Sequence, residues 1–264
     1  MKWFTALLLS LTVLSAKADV AVLVHGYLGN AASWERSGVT NLLHRQGWQA
    51  AGVLTPRGLL PLPGAEAENK FYTVELPSMA PIAAQSGILN GMLSAVARKH
   101  PDESLILVGH SAGGVVARMT LVMGEIPQTK ALITIASPHL GTGRAVQALD
   151  ETDDVFPISM VKSFFVGDIY DVVRDSWGVL LDLTPEHPGS LLFWLNRQPH
   201  PEIEYVSVIR PGPVGMGDEV VPAFSQDMNN IPVLKGRVKS RHTTLSHSLH
   251  PVDGEVLADI MSSL

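Results

Sequence analysis

The stretch LILVGHSAGGVVAR, residues 105–118, determines which fold the sequence predicts. Its four branched apolar residues are typical of a β-strand that is buried on both faces of a sheet. A glycine-rich turn comes next, and the Ala, Val, Arg and Met residues after it predict a helix. A buried strand that passes through a tight turn into a helix is the repeating unit of a parallel sheet covered by helices.

The turn itself carries the pattern G-x-S-x-G, formed by Gly109, Ser111 and Gly113. A serine on such a sharp strand-to-helix turn has a strained backbone, and its close neighbours must lack a Cβ atom. The turn raises the hydroxyl above the sheet and directs the helix N-terminus towards it. The pattern favours Ser111 as a nucleophile, and the alternative is an incidental serine in a tight turn. A phosphate-binding loop is disfavoured because no G-K-S/T ending follows.

Strand patterns alternate with helix patterns along most of the chain, which predicts a doubly wound, mostly parallel α/β sheet with right-handed crossovers. A proline- and glycine-rich loop is predicted at 57–70, with extended chain after it at 71–78. The predicted strands are 19–26, 48–56, 104–109, 130–137, 202–210 and 236–244, and the predicted helices are 30–47, 82–100, 112–124 and 252–264.

Residues 144 to about 200 interrupt this alternation with acidic residues and apolar clusters. The segment is too apolar for a linker, so we expect a mostly helical cap or lid within a single domain that spans residues 19–264. Its aromatic residues suggest an apolar acyl chain as ligand, although they could equally fasten the cap to the sheet. They are Phe156, Phe164, Phe165, Trp177, Phe193 and Trp194.

The first 18 residues have the pattern of a secretory signal peptide. Lys2 supplies the positive charge, residues 3–14 are an apolar run, and Ala16-Lys17-Ala18 has small residues where a signal peptidase requires them. We expect cleavage after Ala18 and a periplasmic or secreted protein. An uncleaved membrane anchor is the alternative, but the apolar run is shorter than the ~20 residues that usually span a bilayer.

Composition narrows the function further. The chain has 264 residues, 46% of them hydrophobic, and a net charge of −6 without a basic patch, so nucleic acid is not expected as a partner. The chain has no cysteine, which excludes disulfides, thiol catalysis and thiolate metal sites. A core held without covalent cross-links is therefore expected.

A serine hydroxyl needs a base, and the base needs a carboxylate to orient it; in this architecture the acid comes before the histidine. The loop at 211–222 follows a late strand and carries Asp218, our candidate acid, with Glu219 as the fallback. Three histidines lie between the last strand and the last helix. His247 is the preferred base because it lies mid-loop, His242 is the fallback, and His250 adjoins the helix.

The end of the first strand supplies a candidate for the oxyanion hole. VLVHGYLGN, residues 22–30, passes from the strand into a glycine-bearing loop that can turn its backbone inward. We expect the backbone N–H groups of Tyr27 and Ala112 to face a developing oxyanion. His25 has two interpretations, as a residue that fixes this loop by hydrogen bonds or as a satisfied core histidine.

These motifs, together with Ala-Ser-Pro-His-Leu-Gly-Thr (136–142) and Asp-Glu-Val-Val-Pro (218–222), resemble the α/β-hydrolase superfamily, and more narrowly the bacterial triacylglycerol lipases and related esterases. The resemblance covers most of residues 20–143 and returns at 202–264. It implies hydrolysis of carboxylic esters through an acyl-serine intermediate. It also implies that Ser111, Asp218 and His247 are catalytic, with Tyr27 and Ala112 as oxyanion donors.

The resulting hypothesis is a secreted lipase or esterase that acts on an ester or lipid and touches a lipid interface through its cap. Acyl transfer or thioester hydrolysis with the same three residues is one alternative, and a non-catalytic binding protein is another. No cofactor is expected. Some members of the resembled family bind a structural calcium ion, for which the acids at 150–154 could serve, but a solvated acidic face is favoured.

Overall fold

The computed structural model of the protein describes residues 18–64, 67–150 and 169–264. The predicted signal peptide lies outside the described residues except for Ala18, as do three of the cap aromatics, Phe156, Phe164 and Phe165. Within the described ranges, no helix is both long enough and apolar enough to cross a membrane.

The centre of the molecule is an eight-stranded sheet in which every neighbouring pair is parallel except at one edge. The strand order is β3-β2-β4-β1-β5-β6-β7-β8. The strands are β1 (Asp19–Val24), β2 (Gln49–Thr55), β3 (Gly58–Pro61), β4 (Lys70–Val74), β5 (Ser104–His110), β6 (Thr129–Ile135), β7 (Glu204–Ile209) and β8 (Val238–His242). This arrangement confirms the predicted doubly wound α/β class.

Helices follow the strands in sequence and cover the sheet. They are α1 (Ser33–Arg36), α2 (Val39–Arg45), α3 (Ile82–Lys99), α4 (Ala112–Met123), α5 (Gly143–Asp150), α6 (Ile169–Asp175), α7 (Trp177–Asp182), α8 (Leu191–Leu195), α9 (Ala223–Gln226) and α10 (Pro251–Ser262). Short 3-10 helices lie at Met228–Asn230 and Pro232–Leu234.

The core lies on both faces of the sheet, which explains why β1 is a continuous apolar run. Val22 and Val24 face the layer formed by α3 and α4, whereas Ala21 and Leu23 face the layer formed by α2 and α10. All four side chains are completely buried. Burial on both faces requires every position to be apolar, whereas a strand with one solvated face would alternate.

Two segments differ from the sequence prediction. The single helix predicted at 30–47 is two helices, because Gly38 takes a left-handed φ of 78° that no α-helix can include. The loop predicted at 57–70 contains β3, which pairs antiparallel with β2. Its exposed edge position leaves it without the apolar pattern by which the buried strands were identified.

The described parts of the segment between β6 and β7 are attached to the sheet through buried contacts. Asp182 on α7 accepts a hydrogen bond of 2.8 Å from the Ile82 amide and so caps the start of α3. Arg118 on α4 is completely buried and donates to Asn196 Oδ1 at 2.7 Å, and Asn196 in turn donates to the His139 carbonyl at 3.1 Å. Asp182 therefore fixes the middle of the segment to α3, and Asn196 joins its end to α4 and to its start at His139.

We predict that Gly113→Ala destabilises the protein by about 1–3 kcal/mol, because a crowded core cannot accept an added methyl. A Cβ atom at this position would lie 2.2 Å from the His25 carbonyl oxygen. The control is Gly91→Ala on the exposed side of α3, where a Cβ meets nothing within 4 Å and helix propensity predicts a gain of about 0.5–1 kcal/mol. Denaturant unfolding of both variants measures the difference, and equal effects would contradict the packing argument.

Candidate active site

Ser111 lies on the strained turn that joins β5 to α4. Its backbone has φ 52° and ψ −129°, a conformation that residues with a side chain rarely adopt. The turn is held on one side by the hydrogen bond from the Ser111 amide to the Ile135 carbonyl at 2.9 Å. On the other side the Ser111 carbonyl accepts from the Gly114 amide at 3.0 Å. The serine is therefore fixed at the carboxyl end of β5, one of the two central strands of the sheet.

The glycines of G-x-S-x-G are required by close backbone contacts. A Cβ atom on Gly109 would lie 2.4 Å from the Gly114 Cα, and a Cβ on Gly113 would collide with the His25 carbonyl on the neighbouring strand. Real side chains cannot approach so closely. The steric reason that the sequence pattern suggested is thus present at both positions.

The side chains of Ser111, His247 and Asp218 form a continuous hydrogen-bonded series. The distance from His247 Nε2 to Ser111 Oγ is 2.9 Å, and the distance from His247 Nδ1 to Asp218 Oδ2 is 3.0 Å. Because a carboxylate only accepts, Nδ1 carries the proton and Nε2 is left to accept from the serine hydroxyl. This tautomer is the one that allows an imidazole to take a proton from Ser111.

Asp218 is held as a carboxylate by the loop that carries it. Its Oδ1 accepts from the Val220 and Val221 amides at 2.8 and 2.7 Å, and its Oδ2 also accepts from Gln226 Nε2 at 3.1 Å. Burial alone raises the pKa of Asp218, but the hydrogen bond and charge of His247 and the two amides outweigh it, so the pKa lies below the ordinary 3.8.

One buried ion pair fixes both ends of the loop that carries His247. Arg210, at the end of β7, pairs with Asp253 on α10 at 2.8 Å, and neither side chain is exposed. The same guanidinium donates to the Thr243 hydroxyl at the start of the loop. At the end of the loop, the amide of His250 donates to Asp253 Oδ2 at 2.8 Å. Thr243 at the start of the loop is therefore bonded to Arg210 directly, and His250 at its end is linked to Arg210 through Asp253.

The other candidates for base and acid lie elsewhere. His242 is the exposed last residue of β8, and His250 is the N-cap of α10 with its Nε2 at 2.8 Å from Ser246 Oγ. Glu219, the fallback acid, accepts from the backbone amide of His247 and not from its ring. Of the three late histidines, His247 is the one whose ring bonds to Ser111.

The loop after β1 lies directly beside Ser111, where the candidate oxyanion donors were expected. A Cβ on Gly26 would lie 3.0 Å from the Ser111 Cβ. Residues 26–29 form a turn closed by the Gly29 amide and the Gly26 carbonyl at 3.0 Å, and the Tyr27 amide takes no part in that bond. Ala112 is the first residue of α4, so its amide has no acceptor within the helix.

His25 holds this loop in place, and it is also buried in the core. Its Nε2 accepts from the Leu76 amide at 3.1 Å, so its Nδ1 carries the proton and donates to the Gly26 carbonyl at 3.0 Å. Burial lowers its pKa, which keeps the ring neutral. Both of the interpretations left open by the sequence therefore apply to the same side chain.

Sequence reasoning missed several residues that surround the three central side chains. His110 is one of these residues, and its Nε2 lies 2.9 Å from the His247 carbonyl oxygen. Gln226 and Arg210 were not singled out, although both are buried polar residues beside the predicted acid and histidine loops. A polar side chain at the end of a predicted buried strand is the signal that could have identified His110 and Arg210, whereas Gln226 lies in α9 and has no such signal.

Among the residues that the structure describes, no group of three or more His, Cys, Asp or Glu side chains is arranged to hold a metal ion. The acids considered for calcium lie outside the described residues, except for Asp150. The described geometry thus consists of a serine hydroxyl, an imidazole, a carboxylate and backbone amides.

We predict that Arg210→Met lowers the free energy of unfolding by about 3–5 kcal/mol, because Asp253 would then be a buried charge without its partner. Arg241→Met is the matched control, since Arg241 forms an exposed pair with Asp259 at 3.6 Å. Denaturant unfolding should show no measurable change for the control. A loss below about 1 kcal/mol for Arg210→Met would contradict the proposed anchoring of the loop.

The lowered pKa of Asp218 predicts a stability that depends on pH. A carboxyl whose folded pKa is depressed stabilises the protein fully above the unfolded pKa, and this contribution disappears as the pH falls through the folded value. The stability difference between the wild type and Asp218→Asn should be constant above about pH 5 and narrow below about pH 4. Unfolding curves between pH 6 and pH 3 measure it, and a difference that widens in acid would overturn the assignment.

Comparisons with known proteins agree with this architecture. The family model described as a PGAP1-like alpha/beta domain matches residues 83–153, from α3 through the Ser111 turn to just beyond α5. No curated protein is significantly similar to the chain in sequence.

Solved structures cover nearly the whole chain at low identity. The lin2722 gene product of Listeria innocua is 17% identical, with a TM-score of 0.59 over 93% of this chain and 92% of that one. The mature lipase BlEst2 of Bacillus licheniformis is 14% identical, with a TM-score of 0.55 over 94% and 92%. A lipase-esterase related protein of Clostridium acetobutylicum is 10% identical, with a TM-score of 0.55 over 94% and 95%. The chain therefore has the α/β-hydrolase fold, and the resemblance to α/β hydrolases that its sequence predicted is confirmed.

Proposed function

We propose that the protein is a serine hydrolase that cleaves carboxylic esters through an acyl-serine intermediate. The single observation that carries the proposal is the pair of hydrogen bonds through His247, 2.9 Å to Ser111 Oγ and 3.0 Å to Asp218 Oδ2. A serine of purely structural use would not need a neutral imidazole that is oriented by a carboxylate.

In the first half of the reaction, Ser111 Oγ attacks the ester carbonyl carbon while His247 Nε2 takes the hydroxyl proton. The carboxylate of Asp218 stabilises the resulting imidazolium and keeps its orientation. The negative charge that develops on the carbonyl oxygen is met by the amides of Tyr27 and Ala112. When the tetrahedral intermediate collapses, the C–O bond to the alcohol breaks and His247 returns the proton to the departing oxygen.

In the second half, water replaces the alcohol. His247 Nε2 takes a proton from the water as its oxygen attacks the acyl carbon, and the same two amides receive the second oxyanion. Collapse then breaks the bond to Ser111 Oγ, which regains a proton from His247, and the carboxylic acid leaves. The cycle needs no cofactor, since the three side chains supply the nucleophile and every proton transfer.

Exposed apolar side chains support an ester with an apolar acyl group. On α7, Val179 and Leu180 are buried and fasten the helix, whereas Trp177 and Leu181 are 48% and 50% exposed. Met216 is also exposed and lines an open cleft of about 310 Å³ that reaches Asp218. Since these side chains do not pack the core, contact with an apolar substrate or a lipid interface is the function that we assign to them.

The expected export to the periplasm or the medium is part of the proposal. It is supported by the charged, apolar and small-residue regions of residues 1–18, which match a signal peptide in their order. Extracellular or periplasmic esters are accordingly the proposed substrates.

We predict that Ser111→Ala and His247→Ala each lower kcat for p-nitrophenyl butyrate by at least ~10⁴-fold, because the nucleophile or its base is removed. His242→Ala is the control and should keep near-native turnover. Near-native turnover of His247→Ala together with a loss in His242→Ala would show that the base is wrongly assigned.

The same assay with esters from acetate to palmitate measures the acyl-chain preference, and activity confined to acetate and butyrate would identify a short-chain esterase.

A further inference from the structure

The backbone of His247 is held by two side chains other than those of Ser111 and Asp218, which contact its ring. Its amide donates to Glu219 Oε1 at 3.0 Å, and its carbonyl accepts from His110 Nε2 at 2.9 Å. The imidazole rings of His110 and His247 are also neighbours, with centroids 5.3 Å apart and planes inclined by 45°. One residue is thus contacted on its N–H, its C=O and both ring nitrogens.

The direction of the His110 hydrogen bond is fixed by chemistry. A backbone carbonyl only accepts, so Nε2 of His110 must carry the proton. Burial, together with the nearby His247, lowers the pKa of His110 to about 3, so its ring is neutral at ordinary pH and holds that single proton. His110 is therefore a permanent donor to the carbonyl and does not compete with His247 for the proton of Ser111.

The loop needs such contacts because its middle is irregular. Arg210 ties the two ends of the loop at Thr243 and Asp253, while residues 243–250 belong to no helix or strand. The hydrogen bond to Asp218 restricts rotation of the His247 ring. It does not fix the His247 backbone, whose N–H and C=O bond to other groups. A displacement of about 1 Å at a reacting group can cost on the order of 100-fold in rate.

The two contacts come from elements that are already fixed. His110 is the last residue of β5 and immediately precedes Ser111, so it links the base to the strand that carries the nucleophile. Glu219 immediately follows Asp218, so one turn holds both the ring and the amide of His247. The Glu219 carbonyl is itself held by Arg144 Nε at 3.0 Å.

We propose that Glu219 and His110 are positioning residues that together hold the His247 backbone, Glu219 through the N–H before its Cα and His110 through the C=O after it. The inference rests on the proposed function, because it concerns the geometry of the same site. It gives a role to the acidic residue that directly follows Asp218 and to the histidine within G-x-S-x-G.

The Glu219 half is tested by comparing Ala with Gln at that position. Glu219→Ala removes the acceptor and should lower kcat by about 10-fold with KM changed less than about twofold, because a charge-assisted hydrogen bond is lost from the base and not from the substrate. Glu219→Gln keeps a carbonyl oxygen at that place and should remain within about threefold of wild type. Glu255→Ala, an exposed acid on α10, controls for the loss of one surface carboxylate.

The His110 half uses the same design. His110→Leu removes the donor and should lower kcat by about 10- to 100-fold, whereas His110→Gln, whose amide nitrogen can reach the same carbonyl, should recover most of it. Thermal unfolding identifies variants that fail to fold, and kinetics are compared only at temperatures where each variant is folded. Because both side chains hold the backbone of one residue, the losses in the double variant Glu219→Ala/His110→Leu should not multiply.

The outcomes separate this inference from the function on which it rests. If Ser111→Ala is inactive while Glu219→Ala and His110→Leu keep wild-type kcat, the positioning role is wrong and the function stands. Losses of the same size in Ala and Gln at position 219 would also overturn it, since the acceptor would not matter. If the wild type has no ester hydrolase activity, the proposed function itself fails.

Discussion

The compression of the β5–Ser111–α4 turn against the end of β1 is the constraint on which the rest of the site depends. Gly113 lies so close to the His25 carbonyl that a Cβ would be 2.2 Å away, and Gly109 is equally close to Gly114. This packing is possible only with glycine, and it forces Ser111 into a left-handed φ of 52°. The strain of order 1–3 kcal/mol that such a backbone stores is balanced by the buried strands on either side.

The same contact joins the Ser111 turn to the loop that carries Tyr27. The His25 carbonyl packs on Gly113, and the His25 ring holds the carbonyl of Gly26. The distance between the turn and this loop is thus set by backbone packing and one neutral imidazole. A site built in this way needs little rearrangement when charge develops on a substrate, which is the condition for strong electrostatic stabilisation of a transition state.

The other side chains of the site come from chain segments after β7. Asp218 lies in the loop after β7, and His247 lies in the loop after β8. Asp218 is satisfied by four donors, and the loop bearing His247 is anchored at both ends through the buried Arg210–Asp253 pair. Replacing such a pair by apolar residues can leave a fold just as stable, so stability alone does not explain its presence. Its position, with Asp253 at the end of the histidine loop and Thr243 at its start, relates it to the placement of the base.

The fold, and the proximity of Ser111, Asp218 and His247, could be predicted because their physical requirements act on neighbouring positions in the chain. Burial on both faces makes residues 20–24 of β1 and 105–108 of β5 apolar, and the close approach at Gly113 requires a glycine. The order of serine, acid and histidine follows from the topology. The edge strand β3 has four residues and none of them is fully buried, and the break at Gly38 is a single left-handed residue, so neither leaves a periodic signal. Glu219 and His110 act on the backbone of a residue that is distant in sequence, and such a contact leaves no local pattern.

The central claim is that the Ser111 hydroxyl is activated by His247. Labelling with a fluorophosphonate probe, with the modified residue mapped by mass spectrometry, tests it most directly because the probe reacts only with an activated serine. The account predicts one phosphonyl group per chain on Ser111 of the folded wild type, and none on folded His247→Ala over the same time. A folded wild type that is left unlabelled, or labelling of Ser111 at an equal rate in both proteins, would contradict it.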